Sequence, residues 1–189
     1  MPNAENIVLG RADVSISPWV TNAGAGTFAA LGHIAGPVTI ENSWEDYEVK
    51  SEQQLGAVGF VPTSYAVKLK FSIMESLLEN WRIALRLLAA QKTGTTPNFT
   101  LAIVDPTEVY HQVKFVGKPI RSALTGLGPN PGSRTILAWR ASIGSVEPVG
   151  LAKDAPQMLA VTLNCAYDES IAAPTTAGRY YQVVDTAIG

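Results

Sequence analysis

The sequence has few of the residues that disulfides, metal sites and catalytic centres need. One cysteine in 189 residues, Cys165, excludes an intrachain disulfide framework and a zinc site built from several thiolates. The two histidines, His33 and His111, are far apart, and neither has a cysteine or a second histidine nearby in the sequence. Isolated histidines of this kind are more often structural or solvated than catalytic. The composition therefore favours a protein without a metal or cofactor.

Charged residues are also scarce. They make up 16% of the chain, whereas about a quarter is typical of soluble domains, and apolar residues make up 47%. The formal net charge is −2, while a nucleic-acid reader usually has an excess of basic residues. Low charge combined with 16 Gly and 12 Pro is typical of a loop-rich β protein, or of one whose surface is largely covered by copies of itself.

Long hydrophobic runs are missing as well. No apolar stretch reaches the roughly 20 residues of a membrane-spanning helix. The first residues, Met-Pro-Asn-Ala-Glu-Asn, show neither the basic nor the apolar region of a secretory signal. We therefore expect a protein that is made and used in a cytoplasm, or assembled there into something larger, and that does not bind a membrane through this chain alone.

No catalytic motif is present in the sequence. It contains no Gly-x-Ser-x-Gly, P-loop, Cys-x-x-Cys or His-Glu-x-x-His pattern. The acidic run of Glu45, Asp46 and Glu48 could do acid–base work only with a partner facing it, so a solvated acidic edge is the simpler interpretation. Cys165 falls on the apolar face of a predicted strand, where a buried, inert thiol is expected. We predict that the protein is not an enzyme. The alternative is a small-ligand-binding β-barrel, or an enzyme with His111 or the acidic run in a cleft.

The strongest pattern is a change of hydrophobic period at Met74. Over residues 65–73 apolar side chains alternate with polar or small ones, which predicts a strand with one buried face. From Met74 the apolar residues recur at helical spacing, and Ser76 with Glu79 resembles a capping box. This predicts a helix of about three and a half turns. The residues predicted to form its buried stripe are Leu77, Leu78, Trp81, Leu85 and Leu88.

Short strands are predicted along most of the remaining chain. They cover residues 12–17, 28–34, 38–49, 99–104, 134–143, 158–167 and 179–185, with loops at 91–98 and 118–133. Residues 108–116 are expected to form either a further strand or an irregular crossing. In the strand at 134–143, the side chains predicted to share one face are Leu137, Trp139, Ala141 and Ile143. Because strands do not alternate with helices, a doubly wound parallel sheet is not expected. We predict one domain over residues 1–189, mainly β, a β-sandwich or open barrel with one flanking α-helix.

Two segments and the strand edges suggest an assembly. Residues 1–11 are predicted to be an N-terminal arm. Residues 51–62 join two strands, yet are longer than the usual two to five residues of a hairpin loop, so we expect them either to be disordered or to reach for a partner. Few charges guard the strand edges, which invites pairing with another chain. The pattern predicts a homo-oligomer whose sheets continue from subunit to subunit.

Three stretches resemble the tail tube (major tail) proteins of long-tailed bacteriophages, which are similar in fold to the tube protein of type VI secretion. The first is Leu31-Gly-His-Ile-Ala-Gly-Pro-Val-Thr-Ile, followed by an acidic stretch and a long loop. The second is the strand and helix over residues 65–88. The third is residues 142–167, which include Gln157-Met-Leu-Ala-Val-Thr-Leu-Asn-Cys-Ala-Tyr-Asp. The resemblance covers most of the chain, and residues 92–133 match only loosely.

The resemblance implies a structural subunit without catalysis. Six copies would form a ring, and stacked rings would form the hollow tube of a phage tail, assembled in the host cytoplasm and present in the virion. The lumen would hold the tape measure protein and then pass DNA, and tail terminator and tail tip proteins would bind the tube's ends. The alternative within this class is a tail terminator or decoration protein, which would form a single ring or a trimer.

The resemblance also implies two sets of contact residues. The loop residues expected to contact the next ring are Glu52, Gln53, Gln54, Leu55, Val58 and Phe60. The residues expected to face the lumen are Ser64, Lys68, Lys70, Ser72, Glu41 and Glu48. Since a lumen that passes DNA is expected to be non-adhesive, Lys68 and Lys70 should meet acids of the preceding strand. The candidates are Glu41, Glu45, Asp46 and Glu48.

Overall fold

The computed structural model describes residues 9–22, 26–50, 57–74, 77–95, 98–103, 108–119, 131–147, 158–171 and 179–187. Strands dominate this part of the chain. They are β1 Leu9–Pro18, β2 Ala29–His33, β3 Thr39–Lys50, β4 Ala57–Ile73, β5 Lys92–Thr95, β6 Asn98–Leu101, β7 His111–Pro119, β8 Pro131–Val146, β9 Leu159–Cys165 and β10 Tyr181–Ala187. One helix, α1 Leu78–Ala84, and a 3-10 turn, Ala89–Gln91, lie between β4 and β5.

The main sheet is antiparallel and curls back on itself. Its strand order is β2-β1-β7-β8-β9-β4-β3, with β10 also paired to β8, and β5 pairs with β6 in a separate hairpin. Beyond β2 the chain forms a bridge from Ile34 to Ile73 of β4, and the Ala35 N–H donates to the Ser72 carbonyl at 2.8 Å. The ends of β2 and β4 therefore meet, and the sheet forms an open barrel. The mainly β prediction with one helix is confirmed.

Alternate side chains fill the interior of this barrel. Every second residue of β9 from Leu159 to Cys165 is buried, and Cys165 lies on the buried face as predicted. The same alternation buries four side chains of β4, Val67, Leu69, Phe71 and Ile73. Phe71 meets Phe115 of β7 edge to face, with ring centroids 4.9 Å apart. Burial of each such side chain contributes roughly 1.5–3 kcal/mol before the entropy cost of ordering it.

Tyr65 does not belong to this core, although the alternation predicted it there. Its side chain is 42% exposed. The pairing of β9 with β4 stops at Val67, which lies opposite Cys165. Tyr65 therefore lies beyond the end of the barrel wall.

In the middle of β8 the buried positions change from even-numbered to odd-numbered residues. Before the change Ile136 and Ala138 are buried, and after it Trp139 and Ala141 are buried. The cause is a register shift against β7, where His111 is opposite Ala141 but Val113 is opposite Ala138. An extra residue on one strand moves the following side chains to the other face. The prediction that Leu137 shares a face with Trp139 is therefore wrong, and Leu137 is only half-buried.

The helix is shorter than predicted. It has seven residues, and its N-cap, Leu77, makes no side-chain capping bond. Ser76 of the predicted capping box lies outside the described residues. After Ala84 the chain turns, since Arg86 has a left-handed backbone with φ 55°. A non-glycine residue in this region ends a helix, because it cannot continue the right-handed path.

The predicted apolar stripe of the helix is only partly right. Leu77 and Leu88 are 58% and 46% exposed, so both were wrongly assigned to the core, because they lie outside the shortened helix. Trp81 packs against the core while partly buried, and Leu85 is half-buried. The side chain of Leu78 lies outside the described part of the structure. Residues that do fill the core here are Ala84 and Leu87.

The predicted loop over 51–62 is a strand in its second half. β4 begins at Ala57 and pairs with β3 along its first residues, with Val61 opposite Tyr47. Pro62 is tolerated because it adjoins a bulge of an edge hairpin, where a missing N–H costs little. Residues 51–56, with Glu52, Gln53, Gln54 and Leu55, lie outside the described residues, as do residues 1–8 of the predicted arm. The loop predicted at 91–98 contains β5.

Candidate assembly surfaces

The outer half of the β3–β4 hairpin projects from the barrel. All β3 residues from Ser43 to Lys50 are exposed, and β9 does not pair with β4 before Val67. We call residues 44–50 and 57–65 the projecting hairpin. Its large apolar side chains in contact with solvent are Trp44, Tyr47, Val49, Phe60, Val61 and Tyr65. Phe60 is 67% exposed, and the side chain of its predicted loop neighbour Val58 is not among those described. Apolar surface of this extent on a hairpin is typical of an interface.

The edges of the projecting hairpin are unpaired in the described part of the chain. β3 pairs with β4 alone, so the other edge of Thr39–Lys50 offers its N–H and C=O groups to a partner. The residues of β4 before Val67 pair with β3 only. Such edges can accept a strand from another chain.

Of the four acids predicted to meet the polar face of β4, Glu41 is the one placed against its lysines. Lys68 is directly opposite Glu41, and the Lys70 Nζ lies 2.6 Å from the Glu41 Oε1. The pair is about half exposed, so we expect it to contribute less than about 1 kcal/mol. Ser64 is exposed on the same strand, and Ser72 is half-buried. That this face lines a lumen remains a prediction.

Glu48 does not share the polar face with Glu41. The two residues are seven positions apart on β3, so alternation points their side chains to opposite faces. Glu48 lies opposite Phe60, and its carboxylate is 3.3 Å from the Lys50 Nζ. The grouping of Glu48 with Lys68 and Lys70 was therefore wrong.

A group of tyrosines ties the base of the projecting hairpin to β10. The Tyr65 hydroxyl donates to the Asn42 Oδ1 at 3.1 Å, and the Asn42 Nδ2 donates to the Tyr181 hydroxyl at 3.2 Å. The Tyr65 ring also meets the Tyr180 ring edge to face at 5.1 Å. Burial, together with the neighbouring Tyr181 and Tyr180, raises the pKa of Tyr65. These contacts fix the direction in which the hairpin leaves the barrel.

A groove lies between the end of α1 and β8. Its volume is about 370 Å³, and it is lined by Ala84, Leu85, Arg86, Ile103, Ile143, Gly144, Ser145 and Val146. Ile103 is 75% exposed. A second depression of about 670 Å³ is lined in part by Asp13, His33, Ile34, Met74 and Val116. In that depression the His33 Nδ1 contacts the Asp13 carboxylate.

The candidate catalytic residues lie apart. Glu45, Asp46 and Glu48 are on the projecting hairpin, whereas His111 begins β7 within the sheet. Burial, with a smaller effect of the Arg82 charge, lowers the pKa of His111 and favours its neutral form. The structure therefore places His111 and the acidic run, the two separate candidates of the enzyme alternative, in different parts of the fold.

The thiol of Cys165 is buried, and burial raises its pKa to about 12. Among the described residues, no group of three or more His, Cys, Asp or Glu side chains could hold a metal ion. Within the same ranges no helix is both long and apolar enough to cross a membrane.

A buried carboxylate that the sequence did not reveal fastens the loop after β9. The Asp168 Oδ2 accepts from the Trp19 Nε1 at 3.0 Å, and its Oδ1 accepts from the Ser170 hydroxyl at 2.6 Å. Burial alone would raise the pKa of Asp168, but these hydrogen bonds outweigh burial and lower it. Trp19 and Asp168 are 149 positions apart in the sequence, so no local pattern could predict their hydrogen bond.

No protein-family model and no curated protein matches the chain. Among the solved structures that resemble it is one titled "Crystal structure of Hcp protein", 16% identical, which covers 93% of this chain and 99% of the other. The TM-score is 0.31. A TM-score this low means that the two backbones superpose loosely, so nothing about function rests on this likeness.

Proposed function

We propose that this chain is a structural subunit whose copies join into rings, and that the rings stack into a hollow tube. The observation that carries the proposal is the projecting hairpin. It holds Trp44, Tyr47 and Phe60 in solvent, where a monomer gains nothing from them. Because the chain has few charged side chains to keep this apolar surface in solution, we expect another copy to cover it.

The exposed apolar surface is large enough to matter for association. Three aromatic side chains of about 200 Å² each, roughly 60% exposed, and two valines leave on the order of 500 Å² to be buried. At about 25 cal/mol/Å² this corresponds to roughly 12 kcal/mol before costs. Association costs about 4–15 kcal/mol, so one such contact is marginal and a ring of contacts is stable.

The unpaired strand edges offer backbone hydrogen-bonding groups through which a neighbouring copy can bind in a defined orientation. An edge of β3 or of outer β4 can continue the sheet into a neighbour, as in strand addition between chains. An interface between two different surfaces is head to tail, and it produces a ring if the rotation closes or a filament if it does not. Both outcomes suit a tube-forming subunit.

The sequence resemblance to phage tail tubes supports a more specific role. On that basis we infer hexameric rings in the tail of a virion, which hold the tape measure protein, pass DNA and meet terminator and tip proteins at their ends. The face with Ser64, Lys68, Lys70 and Ser72 would line the lumen. The Glu41–Lys70 pair offsets one of its positive charges, as a passage for DNA requires.

Electron microscopy and sedimentation velocity of the purified chain test the proposal. We expect the unaltered chain to form rings or tubes, and Trp44→Ser combined with Phe60→Ser to give folded monomers. The matched control is Met158→Ser, which removes a similarly exposed apolar side chain outside the hairpin. A single closed ring that never stacks would favour the terminator or decoration alternative. A monomer at every concentration would refute assembly.

A further inference from the structure

The groove between α1 and β8 combines an apolar wall with one positive charge. Leu85, Ile103 and Ile143 supply apolar atoms, and Arg86 lines one side. Its volume of about 370 Å³ is at the lower end of the range for protein binding pockets and suits a large aromatic side chain.

The charge of Arg86 is not used within the described part of the chain. There it forms no ion pair or hydrogen bond through its guanidinium, whereas Arg82 of α1 binds the Glu79 carboxylate and the Leu87 carbonyl. The left-handed turn at Arg86 places this residue just past the end of α1. A guanidinium beside an apolar groove is suited to bind a carboxylate that arrives with an apolar side chain.

The projecting hairpin carries that combination. Glu48 lies opposite Phe60 and Asp46 lies opposite Pro62, and directly opposite residues of an antiparallel pair share a face. Phe60 is therefore on the same face as two carboxylates. Glu48 is engaged by Lys50, while no described residue forms an ion pair with Asp46.

We propose that the projecting hairpin of one copy docks in the α1–β8 groove of the next copy, with Phe60 in the groove and Asp46 paired with Arg86. This rests on the proposed self-assembly and names the surface that receives the hairpin. The other depression suits the hairpin less well, because it already carries the Asp13 carboxylate. Since hairpin and groove are different surfaces of one chain, the contact is head to tail.

Charge reversal tests the pairing. Arg86→Glu and Asp46→Arg should each abolish rings and tubes in sedimentation velocity while leaving the melting temperature unchanged. The two changes in one chain should restore assembly, because every copy then supplies both reversed partners. Glu45→Arg is the matched control, since alternation on β3 puts Glu45 on the other face of the hairpin, and it should assemble normally.

Mixing two variants separates this contact from any other. Asp46→Ser with Phe60→Ser has an intact groove but no hairpin contact, and Arg86→Glu has the reverse. Each alone should be monomeric, and a 1:1 mixture should stop at a heterodimer, because only one hairpin and one groove remain compatible.

The outcomes distinguish this inference from the proposed function. If Arg86→Glu still forms tubes, the groove is not the docking site, although the tube assembly stands. If the unaltered chain is monomeric under all conditions, both fail. A lower melting temperature of Arg86→Glu would mean that the charge serves the fold, and failure of the double reversal to restore assembly would then overturn the pairing.

Discussion

Phe60 and Phe115 are the same residue in opposite environments, and replacing each should have opposite consequences. Phe60 is 67% exposed on the projecting hairpin, whereas Phe115 is fully buried against Phe71. Phe60→Ser should change the free energy of unfolding by no more than about 0.5 kcal/mol, since an exposed side chain away from a special feature contributes little. Phe115→Ala should cost about 3–5 kcal/mol through lost burial and the remaining cavity.

The effect on assembly should be reversed. Covering the exposed two-thirds of a side chain of about 200 Å² removes roughly 130 Å² from water, which is worth about 3 kcal/mol per contact. Loss of that amount weakens each contact roughly 100-fold. Urea unfolding measures the first effect and sedimentation velocity the second. If Phe60→Ser were as destabilising as Phe115→Ala, or assembled like the unaltered chain, the interpretation of the hairpin as an interface would be refuted.

The remaining predictions concern charge, thiol and hydroxyl groups of the fold. The folded state lowers the pKa of Asp168, so the ionised carboxylate stabilises the fold above its ordinary pKa of about 3.9, and this stabilisation is lost as pH falls through the folded-state pKa. The melting temperature should therefore drop more between pH 5 and pH 3 for the unaltered chain than for Asp168→Asn. Equal drops for the two proteins would contradict this. Cys165, with a pKa of about 12, should not react with a thiol reagent at pH 8 until urea unfolds the chain, and rapid labelling of the native protein would show that the thiol is accessible. Tyr65→Phe removes the hydrogen bond to Asn42 and should cost about 0.5–1.5 kcal/mol per hydroxyl partner while weakening assembly, with the exposed Tyr47→Phe as control; unchanged assembly would mean that this bond does not orient the hairpin.

The parts of the fold that the sequence predicted are those where burial follows a local period. β9 pairs with residues 67–73 of β4 without a register shift. In both strands the alternation of apolar and polar side chains therefore matches the alternation of buried and exposed positions. Prediction failed where the environment changes along an element. The bulge in β8 reverses the face after Ala138 because of its pairing with β7, which local alternation does not contain. The turn at Arg86 likewise ends α1 before the apolar spacing stops.

The sequence predicted that the chain carries surfaces for assembly, but it did not predict where on the fold they lie. Residues 51–62 were predicted as a loop, yet Gly59 and Pro62 within them are tolerated in a strand whose outer edge is unpaired. The aromatic residues at positions 44, 47 and 60 were the sequence signal that could have revealed a projecting hairpin. The bond from Asn42 to Tyr181 joins residues 139 positions apart, and the groove combines three distant segments. Such sites arise from the closure of the barrel and leave no mark on a short window of sequence.

The most direct test of the account is an electron micrograph of the purified, unaltered chain at high concentration. We expect rings stacked into hollow tubes, with the β3–β4 hairpin of each copy in contact with a neighbouring copy. A field of separate monomers, matched by a single monomeric species in sedimentation velocity at every concentration, would contradict it.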